Sequence, residues 1–256
     1  MQSQYEIQDS AKYFSKDVYY DNPSNFQFLE EGTTLRIRDG VTYHQGKRTR
    51  DYKNKRITYK TYVEEGEKIY TTRERQEEIG DSTNLSDYTE FLDSIGLKQE
   101  NLESILEVDN MRRMATVLIN GSPIDISFNV ASYQNCIYEM PGSIATIEIR
   151  PRENEILGRL KLLEIKEKLE SAFPHLKEMT SNANIYEIGV ADSYEKYKKG
   201  YIVSEDAQEY EVQNPKSVQK LEKIVERLKR KRGIKQVADI LPVEEFIKTF
   251  PEDTEK

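Results

Sequence analysis

An α+β fold is predicted for this 256-residue chain: an antiparallel β-sheet across residues 18–150 with flanking helices, followed by a helical C-terminal extension. Three observations predict it. Gly and Asn/Pro punctuation cuts residues 18–150 into short runs rich in Tyr, Ile, Val and Thr, the residues that fit a pleated, half-buried surface. Asn120-Gly121 stands between two such runs, and that dipeptide supplies the positive φ angles a two-residue hairpin needs, so neighbouring strands are antiparallel. Past residue 194 the apolar spacing changes to that of helices.

In chain order, the strand-like runs are Val18–Asp21, Leu35–Arg38, Arg56–Val63, Lys68–Ile79, Met111–Ile119, Ile124–Val130 and Ile144–Arg150. A helical insertion over Asp87–Ile105 carries Phe91, Leu92 and Ile95 at helical spacing, with Ser86 as its N-cap and a break at Gly96. A second helix over Glu155–Phe173 aligns Ile156, Leu160, Leu163 and Leu169, and both helices are expected on the outside of the sheet. A third, Lys216–Arg232, has Val218, Leu221, Ile224, Val225 and Leu228 as its apolar stripe, and Pro242 opens a last helix with Val243, Phe246, Ile247 and Phe250.

Composition excludes several function classes. No apolar run approaches the ~20 residues of a membrane span. The first residues hold neither a basic nor an apolar signal region, and a lone Cys136 fits a reducing compartment, so a cytoplasmic location is expected. With one Cys and only His44 and His175, a Cys/His zinc site cannot be assembled, and any metal must be held by oxygen. A net charge of −8 argues against a general nucleic-acid binder, which needs concentrated positive charge. No P-loop, G-x-G-x-x-G fingerprint or Ser-His-Asp set is present.

Splitting each strand by parity is more informative, because alternate side chains point to opposite faces. Leu35 and Ile37 oppose Arg36 and Arg38; Ile57, Tyr59 and Val63 oppose Arg56, Thr58 and Lys60; Ile124, Ile126, Phe128 and Val130 oppose Asp125, Ser127 and Asn129. Arg112 and Thr116 oppose Met111, Ala115, Val117 and Ile119, and Ile147 and Ile149 oppose Thr146, Glu148 and Arg150. In Lys68–Ile79 the face of Glu74, Gln76 and Glu78 opposes Ile69 and Ile79, with Arg73 and Arg75 blurring the assignment as Arg113 does in its own strand. One face thus gathers Arg36, Arg38, Arg56, Lys60, Arg112 and Arg150 with Glu74, Glu78, Asp125 and Glu148. A charged parity can simply face water. If the sheet instead closes into a barrel, these groups share a lumen, where like charges about 4 Å apart repel by about 4 kcal/mol at an effective dielectric of about 20. A polyanion would offset that repulsion: Arg forks bind phosphate oxygens, and the carboxylates suit Mg²⁺ or Mn²⁺.

At this point the ordered motifs resemble a known family, the CYTH or triphosphate tunnel metalloenzymes, which includes class IV adenylate cyclases, thiamine triphosphatases and inorganic triphosphatases. Tyr19-Tyr20-Asp21-Asn22-Pro23 resembles the family's Y-[YF]-D-T-P turn, and Leu35-Arg36-Ile37-Arg38 follows it. Thr58-Tyr59-Lys60 resembles the T-x-K strand, Arg73 to Glu78 the alternating Arg/Glu strand, and Arg112-Arg113 the next basic strand. Ile126 to Asn129 resembles I-x-L-D, Thr146-Ile147-Glu148 the E-x-E strand, and Thr180 to Gly189 a divergent closing S-K-Y-x-x-G. The resemblance implies an eight-stranded antiparallel barrel over residues 1–190, a helical extension over residues 191–256, and a lumen that binds a triphosphate or nucleotide with Mg²⁺ or Mn²⁺. It implies hydrolysis or nucleotide cyclisation, with Arg36, Arg38, Lys60 and Arg112 as catalytic cations. Arg56, Arg73, Arg75, Arg113 and Arg150 would contact substrate, and Glu148, Glu78 and Glu74 would hold metal.

The chain departs from the family in having no E-x-E-x-K first strand ahead of its Tyr-Tyr-Asp turn, Asn129 for Asp, and Thr146 for Glu. Glu209-Tyr210-Glu211-Val212-Gln213 offers an E-x-E-x-Q at strand parity that could fill the first strand's place. The departures leave a second reading open, a barrel that binds a polyphosphate without turnover and docks a partner, or a second copy of itself, through its C-terminal helices. Lys229 to Arg232 end the third helix with four cations, either a solvated end favoured by the helix dipole or an anionic docking surface.

Overall fold

The structure, a computed structural model, describes residues 5–44, 47–51, 55–65, 69–79, 84–119, 122–151, 165, 167–168, 171, 185–201 and 204–232. Eight antiparallel strands form one sheet: β1 (Tyr5–Asp21), β2 (Thr34–His44), β3 (Lys47–Asp51), β4 (Lys55–Glu65), β5 (Ile69–Ile79), β6 (Glu103–Ile119), β7 (Ser122–Asn135) and β8 (Pro141–Pro151). Their order is β5-β4-β2-β1-β6-β7-β8, with β3 paired to β2. Antiparallel α+β architecture is therefore present. Barrel closure is not: among the described residues no ladder joins β5 to β8, and the chain forms a sheet with two ends.

The strands outrun the sequence expectation at most ends. β1 is 17 residues long and central, pairing with β2 on one side and β6 on the other; in its first half Asp9, next to a register shift, interrupts the alternation of Tyr5, Ile7, Ala11 and Tyr13 with polar residues. β6 also has 17 residues, beginning at Glu103, where the sequence suggested the tail of a helix. The insertion is correspondingly shorter, a 3-10 turn over Leu85–Tyr88 and a helix over Thr89–Ser94, ended at Gly96 with its φ of +76°. Asn84, not Ser86, caps it, accepting a hydrogen bond from the Ser86 N–H. Leu85, Tyr88, Phe91 and Leu92 of this insertion pack against Leu35, Ile37 and Ile57, so it covers the apolar outer face as expected. Ile165 does the same over Ile124; the rest of the helix expected over residues 155–173 lies mainly outside the described residues, as does the one expected after Pro242.

The other face is covered at one end by helices. We number the helices α1 (Gln27–Glu31), α2 (Thr89–Ser94), α3 (Ile185–Lys198), α4 (Glu205–Gln213) and α5 (Pro215–Arg232). The segment Glu209–Gln213 is thus helical and takes no place in the sheet: its neighbours Ser204 and Ala207 begin α4, with the Ser204 Oγ accepting from the Ala207 N–H. α3 lies on the inner face over Tyr19, Leu106 and Tyr133, and residue 190 falls inside it. Its Gly189 permits the approach, since a Cβ there would stand 2.7 Å from Leu106 Cδ2. The stripe Leu221, Ile224, Val225 and Leu228 of α5 joins the same buried cluster, with Val218 packed at its edge, as its spacing predicts. The four-carbon and aromatic side chains of this cluster form the core that places the inner face.

Candidate functional site

Cross-strand register decides which predicted residues share a face. Arg38 pairs with Asp17 on β1 and Arg56 on β4; Arg36 pairs with Tyr19 and Thr58; Thr34 pairs with Lys60. Arg56, Thr58 and Lys60 in turn oppose Glu78, Gln76 and Glu74. Across β1, Tyr13 aligns with Arg112, which opposes Asn129, which opposes Thr146; Ser127 opposes Glu148, and Asp125 opposes Arg150. All ten charged positions assigned to one parity fall on one face of one sheet, Glu74 and Arg150 being placed by backbone register.

Arg113 and Arg75 do not join them. Arg113 pairs with Lys12 and Phe128 at the opposite parity. The Arg75 Nη1 donates 2.9 Å to the Ser94 carbonyl of α2, on the outer face. Arg73 has the register parity of Arg75, opposite to Glu74. A groove of about 440 Å³ bordered by Phe14, Lys16, Asp39, Val41, Asp109 and Met111 also carries the outer parity, away from the arginines.

Within the shared face the structure forms two patches. The first joins Arg36, Arg38, Arg56 and Lys60 on β2 and β4. The second lies on β6–β8, where the Arg112 Nε donates 2.5 Å to Asn129 Oδ1, the Asn129 amide donates 3.2 Å to Thr146 Oγ1, and Glu148 stands 3.8 Å from Arg112. β1 separates them.

Asp17 is the residue that sequence reasoning missed. It lies on β1 one residue before the expected start of that strand, at the parity of Tyr19; extending the alternation by one pair would have found it. Its side chain is 2% exposed. Arg38 grips it through Nε at 2.6 Å and Nη2 at 2.5 Å, and Arg36 Nη1 reaches it at 3.5 Å. Burial alone would push the Asp17 carboxyl up, but the two guanidiniums override it and hold the group below the ordinary carboxylate range. Arg38 also lies 5.6 Å from the centre of the Tyr13 ring, so its position is set from two sides. Arg36 differs. Its other contact among the described residues is a 3.4 Å hydrogen bond to the Tyr19 hydroxyl, and there its Nε is buried with no hydrogen-bond partner.

The Tyr19-Tyr20-Asp21 end of β1 anchors this patch to the helices. Tyr19 stacks on Tyr186 of α3 with ring centres 5.5 Å apart and planes 9° from parallel. The fully buried Asp21 accepts hydrogen bonds from the Phe28 and Leu29 N–H groups, 3.0 Å each, capping α1, whose N-terminal neighbour Phe26 is left-handed at φ +48°. Tyr210 and Ser217 donate to the Pro23 and Ser24 carbonyls from α4 and α5.

Register places the expected metal ligands Glu74 and Glu78 on β5 and Glu148 on β8. Glu78 lies 3.5 Å from Arg56 on β5, and Glu148 lies beside Arg112 on β8, at opposite ends of the strand order. Among the described residues no three acidic, His or Cys side chains cluster. A dedicated site for a hard divalent ion needs several converging oxygens, and the described side chains form no such set. Among the described residues no helix is long and apolar enough to cross a membrane.

No family model and no curated protein matches the chain. Solved structures similar to it include the PH1819 protein from Pyrococcus horikoshii OT3, 22% identical over 73% of this chain and 88% of that one, TM-score 0.38. HpAC1 from Hippeastrum, described as revealing a dominant triphosphatase activity, is 13% identical over 75% of this chain and 84% of that one, TM-score 0.39. The PH1012 protein from Pyrococcus horikoshii OT3 is 18% identical over 67% and 79%, TM-score 0.32. At these values the likeness to the tunnel metalloenzymes stays a resemblance of ordered motifs and does not place the chain in a family.

Proposed function

We propose that the inner sheet face binds a phosphoanhydride anion of the triphosphate type, inorganic or as part of a nucleotide. One observation carries this reading: Arg36, Arg38, Arg56 and Lys60 converge from adjacent positions on β2 and β4, and Arg112 lies on the same face beyond β1. Carboxylates on the same face, among them Asp17, Glu78 and Glu148, offset part of this charge, and planar guanidiniums match phosphate oxygens in geometry as well as sign, so a phosphate chain can take up the remainder. In this reading Arg36, Lys60 and Arg56 hold phosphoryl oxygens, and Arg112 contacts the far end of the ligand. The buried α3 contact at Tyr19 keeps one end of the face apolar and limits where the anion can lie.

Because the described carboxylates form no metal cage, a divalent ion is assigned no step here. Turnover belongs to the test. Tripolyphosphate and ATP are titrated calorimetrically into the full chain with and without Mg²⁺ or Mn²⁺, and phosphate release is followed on the same samples. Binding that weakens with added salt supports the reading, because surface charge attraction is screened. Phosphate release on top of binding makes the protein a triphosphatase, and binding without release makes it a sensor or scaffold. An absence of binding under every condition returns the face to solvated surface and overturns the reading.

A further inference from the structure

The two arginines of β2 stand two residues apart on one face, yet their surroundings assign them different work. Arg38 is matched to a buried carboxylate through two short parallel hydrogen bonds and flanked by the Tyr13 ring. Its charge is offset within the protein, and the fork that a phosphate would use is occupied. Among the described residues Arg36 has contacts at 3.4 and 3.5 Å, both through Nη1, and its Nε is buried without a partner, although the two side chains are similarly exposed, 18% for Arg36 and 21% for Arg38. A buried guanidinium N–H with nothing to donate to is costly unless a ligand completes it.

We propose that Asp17 and Arg38 form an internal neutral pair that positions Arg36, and that Arg36 is the guanidinium of this pair that binds the anion. The inference rests on the anion-site reading above and deepens it by dividing roles within the cluster. Asp17 is a positioning residue: it fixes Arg38 and, through the longer contact, draws the Arg36 Nη1 edge toward β1. That leaves Nε and the opposite edge of Arg36 for a ligand. Replacing both members of a buried ion pair by neutral isosteres is far less disruptive than removing one, because no uncompensated charge is left inside.

The test uses the full chain and inorganic tripolyphosphate as the probe. Arg36→Ala is expected to weaken binding by about tenfold or more while leaving the melting temperature close to that of the unmodified protein. Arg38→Gln alone is expected to melt lower, since it leaves Asp17 buried and unpaired. The double variant Asp17→Asn/Arg38→Gln is expected to recover melting temperature over Arg38→Gln and to bind more weakly than the unmodified protein but clearly more tightly than Arg36→Ala, because Arg36 is still present and only its positioning is lost. A folded double variant that loses binding as fully as Arg36→Ala overturns the proposal, as does an Arg36→Ala protein that binds normally.

Arginine side-chain NMR of the unmodified protein reads the same question without a substitution. The Arg36 Nε–H resonance should move on titration, and the Arg38 Nε–H should not; the reverse pattern overturns the proposal. If the unmodified protein binds no anion, the anion-site reading fails first and takes this one with it. Binding with the wrong arginine responding removes only the division of roles.

Discussion

The Tyr186 hydroxyl donates a 2.8 Å hydrogen bond to Oδ2 of Asp21 from a position 165 residues away. Asp21 is the acid of the Tyr-Tyr-Asp segment that ends β1, and Tyr186 opens α3, so this bond fastens the helical cover to the strand carrying Asp17. Both residues are fully buried. Burial raises the Asp21 carboxyl above its ordinary value despite the opposing hydrogen bonds from Phe28, Leu29, Tyr186 and Asn22. A hydrogen bond to a charged group contributes about 1.5–3 kcal/mol, so Tyr186→Phe should lower unfolding stability by that order. An unchanged denaturation midpoint would show that the bond does not hold α3.

Asp17 and Asp21 give acid stability slopes of opposite sign. Asp17 is lowered from 3.8 in the fold, so its contribution is present above that value and is lost as pH falls through the lower folded value. Asp21 is raised from 3.8, so its contribution is present below that value and is lost as pH rises through the higher folded value. Urea midpoints measured between about pH 6 and pH 3 should therefore fall less steeply for Asp17→Asn and more steeply for Asp21→Asn than for the unmodified protein. Parallel curves for all three would contradict these assignments.

Gly142 of β8 pairs with Tyr133 of β7, whose ring lies over it. A Cβ at residue 142 would meet the ring at 2.4 Å, and the ring cannot move freely because its hydroxyl donates 2.6 Å to Asp192 of α3, itself paired with Lys196. Gly142→Ala should cost about 1–3 kcal/mol through overpacking. The same change made in a Tyr133→Ala background should cost clearly less, since the obstructing ring is gone. Additive losses in the thermal melts would rule out this contact as the cause.

Ending the chain at residue 190 would remove Ala191, Tyr194, Ala207, Leu221, Ile224, Val225 and Leu228, all members of the cluster that buries Tyr19 and Leu106. A domain needs a core of its own to fold alone. The truncated protein is expected to lose its cooperative thermal transition, measured by circular dichroism. A sharp transition at the original temperature would establish residues 1–190 as an independent unit.

Local periodicity made one part of this protein legible. Alternation along LRIR, RITYK and IDISFN is a property of each strand by itself, so the grouping of Arg36, Arg38, Arg56, Lys60 and Arg112 followed from residue order and the two-residue strand period. The α5 stripe was readable for the same reason at helical period. Sequence context misled where propensity was overridden: Glu209–Gln213 has strand parity yet is helical, because Ser204 caps α4 and Tyr210 is fixed to the Pro23 carbonyl.

Partnership between distant segments was set by tertiary structure alone. That Arg38 is matched to Asp17 and Arg36 is not depends on the register of β1 against β2, and neither strand's own pattern encodes it. Likewise Tyr186 can meet Asp21 only after β1 has paired on both sides and α3 has settled on Leu106. The sequence by itself determined which side chains share a face, because that is decided within a few residues; the fold decided which of those charges are paired, because pairing depends on contacts between residues far apart in the chain.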